Sequence, residues 1–369
     1  MIYLDNAATS FPKPIRVIQE VEQCLRHYCG NPGRSSHSLS LAAAEKIYEA
    51  REKLASFLGA PSAENICFTS NATHALNIAI KGLVKPGAHV IISDMEHNSV
   101  LRPIHKLTKT KDVSYSVFNS DNDLFSELCP LVKKNTQYII SSISSNVTGK
   151  RIELGELYRC ASKLNLKLIV DASQYVGHYP INLSEAPIDA LCAPGHKALF
   201  GIQGSGFVVL GDCRCDTLLE GGNGADSKNP EMPHFSPERY EAGTLSTPSI
   251  VSLSAGIDFL LEYGIKEIEA RIDYLSSIAK ERLETLDGIK LYGAEGGIIS
   301  FNLSDIPSSE VARLLDKWGI CVRGGLHCSP LIHKKLGTQD TGIVRASLSV
   351  MNTLSDIDAL YYALKRINR

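Results

Sequence analysis

The sequence predicts an α/β fold on a mostly parallel sheet, and three observations predict it. Short apolar runs of four or five residues alternate with stretches whose apolar positions repeat at helical spacing. Those runs are apolar nearly throughout rather than at every second residue, as in strands covered on both faces. Late in the chain, from about Ser252 to Leu286, long helical periodicity replaces them and marks a second, smaller unit.

Taken in order, Ser38 to Leu58 reads as a helix capped by Ser38 or Ser40, with apolar Leu39, Leu41, Ala42, Ile47, Leu54 and Leu58 among charges. Gly59-Ala60-Pro61 ends it. The predicted strands are 66–69, 88–92, 137–140, 167–170, 190–193 and 206–210. A chain of 369 residues suits a large domain over 15–257 and a small α+β domain formed by 258–369, completed by 1–14.

Charge is nearly balanced, 38 basic against 40 acidic residues, so no broad field draws nucleic acid or an anionic membrane. No apolar run approaches a membrane span and no leader opens the chain. Ten unevenly spaced cysteines fit a reduced, cytoplasmic protein. Cys213-Arg214-Cys215 lacks the second pair of ligands that a closed zinc site requires, so no metal is expected. Cys24, Cys29, Cys67, Cys129, Cys160, Cys192 and Cys321 read as small buried apolar groups.

The informative residues follow strand ends, where ligands of such sheets bind. After 66–69, Ser70-Asn71-Ala72-Thr73 leads into a helix, placing Ala72 and Thr73 to cradle a phosphate. His97, in Met95-Glu96-His97, can stack on an aromatic cofactor ring and relay protons. Asn146 can reach a substrate carboxylate or a ring hydroxyl; Gln174 can donate to a phenolate oxygen. Asp171 ends one strand, and Lys197 sits on the turn Gly195-His196-Lys197 about one βα unit later. A lysine that can form a Schiff base with an aldehyde, and an aspartate that keeps a pyridine nitrogen protonated, together point to pyridoxal phosphate.

From Tyr3-Leu4-Asp5-Asn6-Ala7-Ala8-Thr9 onward the chain resembles the cysteine desulfurase/selenocysteine lyase family of the class V aminotransferase group, fold-type-I enzymes dependent on pyridoxal phosphate. The matching stretches include Met95-Glu96-His97, Ser145-Asn146-Val147-Thr148-Gly149, Val170-Asp171-Ala172-Ser173-Gln174, Gly195-His196-Lys197, Tyr240-Glu241-Ala242-Gly243-Thr244, Val322-Arg323-Gly324-Gly325-Leu326-His327-Cys328 and Arg345-Ala346-Ser347-Leu348. The resemblance implies a seven-stranded, mostly parallel sheet. It also implies Lys197 as the Schiff-base lysine, His97 as ring-stacking acid/base, and Asp171 and Gln174 as ring partners. His196 and Thr73 would be phosphate ligands, Arg345 would bind the substrate carboxylate with Arg323 beside it, and Gly243 and Thr244 would reach the phosphate of a neighbouring subunit in a homodimer.

In that family a cysteine at the position of Cys328 attacks the sulfur of L-cysteine, leaving a persulfide and L-alanine. His327 and Arg323 would supply positive charge for the thiolate. The run from Gly324 to Leu331 resembles the short-loop branch, so sulfur would leave to a docking acceptor protein or a small thiol, for purposes such as iron-sulfur cluster assembly. Pro194 and Ala72 stand where relatives carry hydroxyl residues, removing phosphate contacts. The same residues also suit a selenocysteine lyase, or a transaminase or lyase in which Cys328 is structural.

Overall fold

The computed structural model describes residues 1–33, 37–225 and 227–368. In chain order its elements are β1 (Ile2–Tyr3), α1 (Ile15–Gln23), α2 (Ser38–Leu58), β2 (Ile66–Thr69), α3 (Ala72–Leu83), β3 (His89–Ser93), α4 (Asn98–Thr110), β4 (Ser114–Phe118), α5 (Leu124–Leu128), β5 (Thr136–Ser142), α6 (Leu154–Lys163), β6 (Lys167–Asp171), β7 (Ala190–Pro194) and β8 (Gly206–Leu210). There follow α7 (Thr247–Tyr263), α8 (Ile265–Leu283), β9 (Ile289–Glu295), β10 (Ile298–Leu303), α9 (Ser308–Lys317), β11 (Ile320–Cys321), β12 (Arg323–Gly325), α10 (Pro330–Leu336), β13 (Ile343–Ser347) and α11 (Leu354–Ile367).

The main sheet has seven strands in the order β2-β8-β7-β6-β5-β3-β4, and only β8 runs against the rest. Successive side chains of a strand point to opposite faces, and each face here has its own core. Phe68, Ile91, Ile139, Leu168, Val170 and Leu191 pack on one side; Cys67, Val90, Ile92, Ile140, Ile169 and Cys192 pack on the other. That two-sided burial is why the strands read as unbroken apolar runs.

β4, which the sequence did not reveal, is an edge strand paired only with β3. Its Ser114, Tyr115 and Val117 are exposed, so it lacks the apolar run of its neighbours. The cap of α2 also differs from expectation: His37 precedes the helix and accepts from the Ser40 N–H at 3.2 Å, so neither Ser38 nor Ser40 caps it. Gly59, in the left-handed region at φ 63°, closes the helix.

A second sheet, β12-β13-β10-β9, covers its own core with α8, α9 and α11. β1 pairs in parallel with β11, bringing the N-terminus to this side. Residue 257, where the sequence suggested a boundary, falls inside α7. Of the cysteines expected to be buried, Cys29 and Cys129 are exposed and Cys321 is half-buried; Cys24, Cys67, Cys160 and Cys192 are buried. Among the described residues, no group of three or more His, Cys, Asp or Glu could hold a metal ion, and no helix is long and apolar enough to cross a membrane.

Candidate active site

The strand ends of the main sheet open into a cavity of about 400 Å³, whose walls include Thr73, His97, Asp171, Lys197, Cys328 and Arg345. Of the residues singled out from the sequence, Ala72, Asn146, Gln174, His196 and Arg323 also line it. Gly243 and Thr244 do not. They line a separate cleft of about 730 Å³ with Arg51 and Glu241, which contains no lysine, histidine or cysteine among the described residues. The smaller cavity is the one that gathers the lysine, histidines and cysteine singled out from the sequence.

At its base β6 delivers Asp171, which is 5 % exposed. One carboxylate oxygen accepts from the Ser173 N–H at 2.9 Å, leaving the other for a ligand. Lys197 follows β7, and its amine makes no hydrogen bond among the described residues. Burial pushes that amine down to about 8, although Asp171 opposes the shift. The Lys197 turn is pinned from outside: the His196 carbonyl accepts from the Ser10 N–H at 3.1 Å, Thr9 Oγ1 at 3.0 Å and Lys13 Nζ at 3.1 Å. Burial, with Lys197 and Lys13 nearby, lowers His196 to about 4, so the ring is neutral; its buried Nδ1 has no partner.

His97 caps α4. Its Nδ1 accepts from the Ser99 N–H at 3.0 Å. An N–H cannot accept, so the proton of the neutral ring lies on Nε2. Ser99 Oγ sits 2.9 Å from the same Nδ1 and 2.8 Å from Thr73 Oγ1, linking Thr73 to the imidazole. Burial lowers the His97 pKa against the pull of Asp171. At α3, the Asn71 side chain caps only the His74 N–H, at 2.9 Å. The Ala72 and Thr73 N–H groups stay open for an anion.

The Cys328 loop is four residues long, Leu326 to Ser329, between β12 and α10. His327 and Cys328 both adopt left-handed backbone, φ 48° and 57°, at a cost of about 1–2 kcal/mol each for residues with a Cβ. Side chains hold this conformation. Asn146 Nδ2 donates to the His327 carbonyl at 2.8 Å, Ser329 Oγ donates to Asn146 Oδ1 at 2.7 Å, and the Asn98 N–H donates to the Cys328 carbonyl at 2.7 Å. The thiol itself is exposed.

One sequence expectation changes here, and two are narrowed. His327 supplies no positive charge: its Nε2 donates to the Ile343 carbonyl at 3.0 Å, and burial with Arg345 nearby lowers it to about 3. Asn146 commits its oxygen and one amide proton to the loop. Gln174 likewise commits one proton, to the Ala7 carbonyl at 2.9 Å.

Sequence reasoning missed three contributors. Asp5 bridges Arg323 and Arg345. Ser99 joins Thr73 to His97. Glu96, fully buried, accepts from the Ser142 N–H at 2.8 Å and Oγ at 3.0 Å, tying β3 to β5; burial pushes its carboxyl up to about 8. Glu96 and Asp5 lie inside the quoted motifs, which was the only available signal.

The sequence profile of the Aminotransferase class-V family matches residues 2–360. The chain belongs to the aminotransferase class-V family. Within this family it is similar to a "Probable cysteine desulfurase" of Methanothermobacter thermautotrophicus, 32% identical over 99% of this chain and 94% of the relative. A cysteine desulfurase of Escherichia coli is 31% identical over 100% and 94%. Among solved structures, the apo cysteine desulfurase from Thermococcus onnurineus NA1 superposes with a TM-score of 0.91 at 29% identity, covering 99% of this chain and 94% of that one. The S-sulfonic acid form of an Escherichia coli cysteine desulfurase gives 0.88 at 27% identity, with coverage of 99% and 94%. Class-V membership and these neighbours agree with the fold-type-I architecture and seven-stranded sheet seen here.

Proposed function

We propose that the protein is a pyridoxal-phosphate-dependent cysteine desulfurase that takes L-cysteine to L-alanine and carries the sulfur as a persulfide on Cys328. One juxtaposition supports this reading: the Lys197 amine and the exposed Cys328 thiol open onto a single cavity. The cavity's chemistry fits the cofactor. It offers an unpartnered amine for an aldehyde, a free carboxylate oxygen for a ring nitrogen, and open N–H groups with an unpartnered His196 nitrogen for a phosphate.

When bound, pyridoxal phosphate supplies an electron-withdrawing ring that weakens bonds around the substrate α-carbon. With its pKa at about 8, Lys197 is partly neutral near physiological pH and nucleophilic enough to bond an aldehyde carbon. Asp171 gives a ring nitrogen a fixed anion. Thr73, His196 and the start of α3 hold the phosphate, and Gly243 and Thr244 reach the partner's site in a homodimer. His97 presents Nε2–H as a proton donor, and Gln174 keeps an amide proton for the ring oxygen. Arg345 takes the substrate carboxylate.

The Cys328 thiolate attacks the substrate sulfur. A new S–S bond forms as the C–S bond breaks, the C–S electron pair stays with carbon, and one proton replaces the sulfur there. Enzyme thiol and L-cysteine thus become enzyme persulfide and L-alanine, in balance. The rigid four-residue loop cannot carry sulfur far, so an acceptor protein or small thiol comes to it. Residues 15–257 form the cofactor-binding unit, with 1–14 and 258–369 as the second, in a cytoplasmic setting that keeps the thiol reduced.

The test is alanine and sulfide release from L-cysteine with a reducing thiol present, for the cofactor-loaded wild type beside Cys328→Ala. Equal amounts from the wild type, both lost in the variant, are expected. Unchanged sulfide release by Cys328→Ala would overturn the persulfide role.

A further inference from the structure

Resting on the desulfurase reading, we propose that Asp5 is a positioning residue: it fixes Arg345 and Arg323 as a two-arginine receptor for the substrate's carboxylate. Asp5 Oδ1 accepts from Arg345 Nη2 at 3.0 Å. Its Oδ2 lies 3.0 Å from Arg323 Nη2 and 3.2 Å from Arg323 Nε. One carboxylate therefore holds two guanidiniums side by side on the wall of the cavity that contains Lys197.

The three groups differ in burial, and this assigns their roles. The Arg345 side chain is 3% exposed, that of Asp5 15% and that of Arg323 50%. A guanidinium recognises a carboxylate through parallel N–H bonds, so its plane must be set before the ligand arrives. For Arg345 the plane is set from two sides, by Asp5 and by the Asn146 carbonyl, which accepts from Nη1 at 2.9 Å. Its Nε is buried with no partner. Arg345 also lines the cavity, so an anion arriving there meets a guanidinium already fixed in orientation.

The charges agree. Two arginines and one aspartate sum to +1, the complement of a single carboxylate. Without Asp5 the guanidiniums would repel each other, and Arg323, with half its side chain in solvent, would swing away. Asp5 is itself fixed. It bridges to Ser347 in parallel register; on its flank the Ala7 N–H donates to Ser347 Oγ at 2.9 Å and Asn6 Nδ2 to the Ser347 carbonyl at 3.0 Å. Ser347 and Arg345 lie on one strand, β13, so the aspartate and its main partner share a rigid support.

The experiment titrates cofactor-loaded protein with L-alanine and with ethylamine, which lacks only the carboxylate, and follows the cofactor's absorbance. For Asp5→Asn, losing a charged hydrogen-bond partner is expected to weaken L-alanine about tenfold or more, leave ethylamine unchanged, and raise KM for L-cysteine more than it lowers kcat. Asp5→Glu, which restores the charge one methylene further out, should recover part of the L-alanine affinity; it also serves if Asp5→Asn does not fold. Equal weakening of both ligands, or unaltered L-alanine affinity, would overturn the proposal. If the wild type releases no alanine from L-cysteine, the desulfurase reading fails while the paired titration still decides the role of Asp5.

Discussion

The two ends of the cavity are built in opposite ways. Lys197 and Asp171 stand at the ends of adjacent parallel strands, where the backbone ladder places them, and burial lowers the pKa of the lysine. Cys328 rides on a strained loop that no ladder supports, held by Asn146, Ser329 and the start of α4, with its sulfur in solvent. Bond-weakening chemistry benefits from a dry, preorganised site. Sulfur transfer needs access. The sheet provides the first, and side chains hold the second in place on the surface.

If the ends are independent, they can be broken separately. Lys197→Ala should lower alanine release by about a thousandfold or more, yet leave the rate at which a thiol reagent labels Cys328 unchanged; altered labelling would show that the ends are coupled. Asn146→Ala should act in reverse. Sulfide release is expected to fall about tenfold and stability by about 1–3 kcal/mol, since the buried His327 and Ser329 lose the amide that joins them, while the cofactor's absorbance stays as in the wild type. A change in that absorbance would place Asn146 at the ring rather than on the loop.

The smallest effects lie in pH dependence, and the windows differ. His327 falls from its ordinary 6.5 to about 3, so its contribution to stability is complete above pH 6.5 and is lost as the pH falls towards 3. Lys197 falls from 10.5 to about 8, so in cofactor-free protein its contribution is complete above pH 10.5 and is lost on descending to 8. Urea denaturation of wild type minus His327→Gln should show about 1–2 kcal/mol in the acid window. The difference for Lys197→Met should be similar in the alkaline one. The same window for both variants would contradict the separation.

How legible each end was follows from its construction. Strands buried on two faces announce themselves as apolar runs, and a functional group at a strand end is located as soon as the strand is. That is why Lys197, Asp171 and His97 could be found, and why β4, exposed along one edge, could not. Contacts made by long returns of the chain leave no local trace. Asp5 meets Arg323 and Arg345 across separations of 318 and 340 residues, and the neutrality of His327 depends on burial and on the nearby Arg345, against the pull of the Ile343 carbonyl. Asn146 was recognised as important, but its work on the loop needed the loop's position.

The segment around Asp5 has one more consequence, which concerns synthesis. Residues 5 to 13 meet β13 at Ser347 and the carbonyl just before Lys197, so this early segment finds its seat only after a much later one has been made. A nascent or truncated chain without β13 lacks Arg345 and the seat of Asp5. On the proposed reading, a carboxylate substrate would find no arginine pair in such a fragment.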